Sequence, residues 1–309
     1  MFMWFFFIAI IIILLALDLG FFHKTEKEIS FKESLKMSVF YFVIAIIFGF
    51  WIWYIKSFDS FAEYITGFLV EKSLALDNVF LISLIFSSLS IPSKYQYRVL
   101  FWGILGVIVM RAIMITLGAQ IITNFTWVLY VFAVFMIFTG IKMLFMPQKP
   151  VDISNNILLL WMRKHLNITK ELHKQKFFVY QIDQKSQKNK LFITPLFVAL
   201  IMIEFIDLLF AIDSIPAIFS ITKDPYIVYT SNIFAVLGLR ALYFALASIA
   251  DRFYYLKHAL AVVLIFIGGK IFLAEWLSID KIPASLSLLI TFIILFCGII
   301  FSLIKKQEG

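Results

Sequence analysis

MFMWFFFIAIIIILLALDLGFF, at the start of the chain, is the first of nine long apolar runs, and a chain made of such runs has few ways to fold. An apolar stretch of about 20 residues is the length that crosses a bilayer core as a helix, because a helix satisfies its backbone groups within one segment. The runs fall near 2–22, 38–55, 63–90, 97–120, 126–146, 191–221, 228–250, 258–277 and 284–304. With 62% apolar and only 15% charged residues, the 309-residue chain lacks the polar surface of a water-soluble domain. The short alternating segments of a membrane β-barrel are not seen. The expected class is therefore an all-α polytopic membrane protein of about nine transmembrane helices in a single membrane domain. The first run has no basic residues ahead of it and no clear small-x-small cleavage site, so it reads as a retained helix rather than a signal peptide.

The net charge of +8 points to topology rather than to nucleic acid. Segment 147–190 holds nine Lys/Arg against three acids and carries most of the excess. Basic residues also fill 23–37, 91–98, 251–257 and the tail, whereas 55–62, 121–125, 222–227 and 278–283 together hold only Lys56, Lys223 and Lys281. The basic side of a multi-pass protein faces the cytoplasm. The expected orientation in a bacterial inner (plasma) membrane is N-terminus outside and C-terminus inside, with 147–190 as a cytoplasmic loop. Within that loop, NILLLWMRKHL is apolar enough on one side to lie on the inner leaflet, and a plain spacer is the equal alternative. One cysteine, Cys297, provides no disulfide framework and no thiolate metal site.

The third and sixth runs, 63–90 and 191–221, are longer than one crossing requires and carry acids near their centres. Their length, together with Pro195 and Pro216 in the sixth, predicts tilted or interrupted helices. The two runs also match each other. With 71–144 laid on 207–272, Glu71 falls on Asp207, Asp77 on Asp213 and Asn78 on Ser214. Arg111 of GVIVMRAIM then falls on Arg240 of AVLGLRALY, and Lys142 of IFTGIK on Lys270 of IFIGGK. An odd number of helices separates the two segments. The expectation is an inverted repeat of three helices each: repeat A about 63–146, repeat B about 191–277, and 2–22, 38–55 and 284–304 as peripheral helices.

An acid at the centre of a membrane helix costs about 2.5–3.5 kcal/mol on insertion scales, so it needs a cavity, a cation or a counter-charge. Glu71, Asp77, Glu204, Asp207 and Asp213 are such acids, and Arg111, Arg240, Lys142 and Lys270 are candidate charge-pairing or gating partners. Lys142 lies close enough to a helix end to snorkel instead. Carboxylates with the Asn78 amide and the Ser214 hydroxyl form a hard-oxygen donor set suited to Mn²⁺, Mg²⁺ or Ca²⁺. Six residues of ideal helix turn through about 240°, so Glu71 and Asp77 share no face unless the helix breaks, or one meets the ion and the other an arginine. Asp77 and Asp213 rank first as a symmetric metal pair, Glu71 and Asp207 next, Glu204 third. Met202 reads as packing before it reads as a soft ligand. Asp18 reads as an interfacial acid.

EKSLALDNVF (71–80) and EFIDLLFAIDSIPA (204–217), with ALDLGFFHK (16–24) and the arginine of AVLGLRALYF, resemble the signature segments of the TerC/Alx family of integral membrane proteins. The resemblance covers roughly 1–280. It implies a polytopic inner-membrane protein, an association with tellurium resistance, and, for Alx-like members, manganese export and its pH-responsive control. It carries the ion site to Glu71, Asp77, Asn78, Asp207 and Asp213. The functional expectation is a secondary transporter exporting a divalent cation, foremost Mn²⁺, in exchange for protons, with no permanently bound cofactor. Its partners are the cation, protons and the lipid bilayer, and nucleic acid is not among them. The alternative is a membrane scaffold or assembly factor in envelope-stress or tellurium-resistance complexes, with 147–190 as its docking surface. The sequence shows no nucleophile–base pair, phosphate loop or zinc motif, so an enzyme is not expected.

Overall fold

The computed structural model describes residues 2–22, 31–125, 127–145, 157–169, 171–182, 189–246, 254–278 and 282–304. In chain order the elements are α1 Phe2–Phe22, α2 Phe31–Ile55, α3 Phe58–Ser88, α4 Ser93–Asn124, α5 Val128–Phe145, α6 Ile157–His165, β1 Phe178–Ile182 and β2 Asn189–Ile193. They continue with α7 Pro195–Phe219, α8 Pro225–Leu237, α9 Leu239–Leu246, α10 Tyr254–Trp276 and α11 Ala284–Ile304. Among the described residues seven helical stretches are long and apolar enough to cross a membrane: α2, α4, α5, α7, the joined α8–α9, and most of α10 and of α11. The apolar part of α1 is shorter, and α3 is set apart by Glu63, Glu71, Lys72 and Asp77 along its length.

Local chemistry explains where the helices begin and end. The Ser57 hydroxyl accepts from the Ser60 N–H at 3.1 Å to start α3, and Asp224 accepts from the Tyr226 N–H at 2.9 Å to start α8. Pro195 and Pro225 each sit in the first turn of a helix, where a missing N–H leaves nothing unpaired. α3 closes with Ser90 at φ 51°, the Ile91 N–H bonding back to Phe86 and the Ser90 N–H to Ser87. That is a Schellman stop, and Pro92 follows it.

The interruptions expected in the third and sixth runs are not where the helix breaks. α3 is continuous over 31 residues and α7 over 25. At about 1.5 Å per residue α3 is roughly 46 Å long, so its excess length goes into tilt or overhang. Pro216 is tolerated in the last turn of α7, where its carbonyl accepts from both the backbone and the hydroxyl of Ser220. The break falls in the seventh run instead, at Gly238 between α8 and α9.

The all-α expectation needs one correction. β1 and β2 form an antiparallel hairpin inside the basic segment, with Phe178 opposite Ile193 and Ile182 opposite Asn189. FVYQI and NKLFI carry the aromatic and β-branched residues that favour strands, a signal masked by the surrounding lysines. In α6, Leu159 and Met162 are buried in the cluster formed by α3, α4 and α7, while Leu160 and Trp161 are exposed. Its apolar side thus faces protein at two positions rather than lying wholly on a lipid surface.

Packing places α8 at the centre. Tyr226–Leu237 is buried throughout apart from Tyr229, including Thr230, Ser231 and Asn232. Large apolar side chains such as Ile13, Ile47, Phe138 and Phe292 are exposed on α1, α2, α5 and α11, the pattern of a lipid-facing rim. α3 packs on α8, α4 on α7, and α5 on α10. At the α5–α10 crossing, a Cβ on Gly140 would lie 2.6 Å from the Ala261 carbonyl oxygen, and one on Gly268 would lie 2.5 Å from that of Ala133. The bulk beside each contact is Ile265 and Ile137 respectively. Backbone meets backbone at both points.

Candidate functional site

Arg111, the largest fully buried side chain, projects from the middle of α4 into a layer where α3, α7 and α8 meet. Its guanidinium gathers groups from all three. Nη2 and Nε donate to the two carboxylate oxygens of Asp207 on α7, at 3.1 and 3.4 Å. Nη1 donates to Glu71 on α3 and to the Asn232 side-chain oxygen on α8. The Asn232 amide donates in turn to the other Glu71 oxygen at 3.3 Å. This uses the planar fork of arginine, which a lysine ammonium cannot reproduce. Two carboxylates thus share the Arg111 guanidinium in a place removed from solvent.

The helix directions decide where the other acids fall. Near the start of α3, Glu63 accepts from the hydroxyl of Thr222, just past the end of α7, at 2.6 Å. Phe86 near the end of α3 joins the same cluster as Leu196 at the start of α7. The two helices therefore run antiparallel past the Arg111 layer. Asp77 follows Glu71, and Asp213 follows Asp207, by about 9 Å along each axis, so their helix positions lie on opposite sides of that layer. The side chains of Asp77, Asn78 and Asp213 lie outside the described residues. The structure thus brings together Glu71 and Asp207, which the sequence ranked second.

Glu204, one turn before Asp207, lies against α4 at Gly106, where a Cβ would sit 2.5 Å from its carboxyl carbon. Its Oε1 is buried and has no hydrogen-bond partner among the described residues. The buried Ser214 hydroxyl likewise has none among them. Met202 is buried in the α3–α4–α7 cluster as packing. Among the described residues no three His, Cys, Asp or Glu side chains converge as a ready metal cage.

Arg240, which aligns with Arg111 in the sequence, has a different set of neighbours. It pairs with Asp18 of α1, and its guanidinium carbon stands 4.4 Å from the centre of the Tyr97 ring. The Tyr97 hydroxyl donates to the Asp18 backbone carbonyl at 3.0 Å. Asp18 is 3% exposed, which corrects its reading as an interfacial acid: a buried cation 222 positions away draws it in. A cavity of about 20 Å³, room for a single water, is bordered by both Asp207 and Arg240. Lys142 is exposed near the end of α5 and takes no part in the site. Lys270 lines a separate polar cavity of about 730 Å³, with Glu63, Thr66, Thr222, Asp224 and Glu275. Asp224 also forms an ion pair with Lys56.

The sequence reading passed over two functional groups. Asn232 ends the triplet TSN in an otherwise apolar run. The hydroxyls of Thr230 and Ser231 turn back to their own helix, at 2.7 Å each, so only the amide is free to reach a neighbour. Lys72, beside Glu71, donates to the Ala235 carbonyl at 3.1 Å. An amide and a lysine inside apolar runs were the available signals.

A family model described as "Integral membrane protein TerC family" matches residues 56–309. An uncharacterized membrane protein of Rickettsia bellii is 52% identical over 304 residues, covering 98% of both chains. One of Myxococcus xanthus is 42% identical over 99% of this chain and 93% of its own. A Salmonella typhi protein that bears the provisional name membrane-bound redox modulator Alx is 41% identical over 95% of this chain and 91% of its own. No solved structure matches the chain.

Proposed function

The chain belongs to the TerC family of integral membrane proteins, and from that premise we propose that it is a secondary transporter exporting a divalent cation, foremost Mn²⁺, in exchange for protons. The observation that carries this reading is the buried Glu71–Arg111–Asp207–Asn232 cluster, in which two carboxylates meet on one guanidinium. Charge pairs are a poor means of stabilising a protein interior, since apolar packing often does as well, so two acids on one arginine call for a use. A carboxylate that exchanges its arginine for a metal ion or a proton is such a use. Asp77 and Asp213 add two further acids to the same pair of helices, and carboxylates are hard oxygen donors. In this reading Glu71, Asp77, Asn78, Asp207 and Asp213 meet the ion, and Glu204 and Ser214 stand beside its path.

The proposed frame is nine spans with an inverted repeat, N-terminus outside in an inner membrane and 147–190 in the cytoplasm. Reciprocal packing supports the repeat: α3 on α8 mirrors α4 on α7. Gly140 against Ala261 and Ile265 mirrors Gly268 against Ala133 and Ile137, at one constant sequence offset. The redox role in the names of the Alx relatives finds no dithiol here, because Cys297 is the chain's one cysteine.

The test is purified protein in liposomes loaded with a metal-sensitive dye, given Mn²⁺, Mg²⁺, Ca²⁺ or Zn²⁺ with and without a pH gradient. Saturable Mn²⁺ flux that the gradient drives, and that Asp207→Asn cuts at least tenfold, is expected. Flux equal to that of empty liposomes for every ion sinks the reading.

A further inference from the structure

The break between α8 and α9 is a place where the backbone runs out of partners. α8 is 13 residues long, and its last carbonyls lie in the turn that ends at Gly238. They form the negative end of a helix dipole inside the protein. In transporters built on broken helices, such an end coordinates a small cation. Here a cation is present and covalently attached. The Lys72 ammonium donates to the Ala235 carbonyl at 3.1 Å, and a Cβ at position 238 would lie 2.7 Å from its nitrogen and 3.3 Å from Cβ of Tyr41 on α2. A methyl group there would require the ammonium to shift.

The neighbours give the arrangement a second meaning. Glu71 accepts from Asn232, and Lys72 donates to Ala235, three residues on in the last turns of α8. The dipeptide Glu71–Lys72 thus holds both the ion cluster and the helix break. Two residues past the break, Arg240 is tied to Asp18.

We propose that the α8–α9 break is a binding site for a small monovalent cation, and that the Lys72 ammonium is its resident occupant in place of a free ion. The role assigned to that cation, coupling the state of Glu71 to the break, rests on the transporter reading above. The occupancy itself does not. It follows that this site takes no ion from solution while the ammonium fills it, and that removing the ammonium opens it to a soluble substitute.

The full chain, purified in detergent, is unfolded by heat in chloride salts of ammonium, methylammonium, sodium or tetramethylammonium at equal ionic strength. Wild type is expected to show one Tm in all four. Lys72→Ala should unfold several degrees lower in tetramethylammonium and recover at least half of that loss in one or more of the small cations, in a saturable way. A Lys72→Ala Tm equal to that of wild type, or one indifferent to the four salts, overturns the proposal. If Lys72→Ala does not fold, Gly238→Ala carries the test, because its methyl group must push the ammonium off Ala235. A lowered Tm for Gly238→Ala is then expected, and an unchanged one overturns the proposal. The readout involves no transport. A salt-dependent Lys72→Ala alongside a wild type that moves no metal keeps this site and removes the transporter reading. The opposite pair of results does the reverse.

Discussion

Arg111 and Arg240 occupy matching places in the two halves of the chain, and they are used in opposite ways. Arg111 holds two carboxylates and an amide drawn from α3, α7 and α8. Arg240 pairs with Asp18 and stacks on Tyr97, its carboxylate coming from α1, outside both repeats and outside the residues the family model matches. The first arrangement sets two carboxylates on one guanidinium, and the second sets one carboxylate and an aromatic ring on the other. Two arginines that align in the sequence therefore need not keep one job: one gathers two carboxylates and an amide, the other a single carboxylate and a ring. The fold equips both from the same starting residue, and the difference lies in what the neighbouring helices deliver to it.

The contrast is open to breakage, most severely at Arg111. Arg111→Met leaves Glu71 and Asp207 buried side by side without a cation, and removing one partner from a buried ion pair costs about 3–5 kcal/mol. It should give the lowest Tm of any single substitution in either arginine layer and abolish metal flux. A Tm no lower than that of Arg240→Met would erase the distinction. The next effect tests the Arg240 pair. Asp18→Asn and Arg240→Met should each destabilise, while the double substitution should recover part of the loss, with a coupling of about 1–3 kcal/mol in a double-mutant cycle. Flux per folded molecule should stay within a factor of a few of wild type in the double variant. A tenfold loss in it would make Arg240 part of the ion path. The smallest effect sharpens the edge of the charged layer. Gly106→Ala drives a methyl group against the Glu204 carboxyl, the far end of a flexible side chain that can swing aside, so the overpacking cost is small, about 1 kcal/mol at most, and Glu204→Ser in the same chain should relieve it. Equal Tm values for Gly106→Ala with and without Glu204→Ser would mean that the carboxyl does not rest there.

Much of this was legible in the residues because one physical demand dominates: backbone in hydrocarbon must bond to itself. The runs 2–22 and 284–304 are helices to the residue, α1 and α11. The expectation that central acids need cations led to Arg111, since few other basic groups lie at that depth. Where the reading missed, competing forces were close in size. Prolines in a sequence suggest helix breaks, yet Pro195 and Pro216 fall in terminal turns, and Gly238, with no side chain to advertise it, marks the break. Asp18 looked interfacial because its partner is remote in sequence, and pairing across such a distance leaves no local periodicity. The hairpin β1–β2 lay inside a segment whose lysines spoke for topology, while its strands answered to alternating aromatics.

The crossing of α5 and α10 constrains the history of the chain as well as its shape. A side chain that collides with another side chain can be forgiven by a second mutation that shrinks the neighbour. At Gly140 and Gly268 the obstacle is the carbonyl oxygen of Ala261 and of Ala133, an atom every amino acid carries. No substitution at those partner positions removes it. Each half therefore limits the other's glycine through something the genetic code cannot edit, and lineages that lose either glycine must move a helix rather than repair a contact.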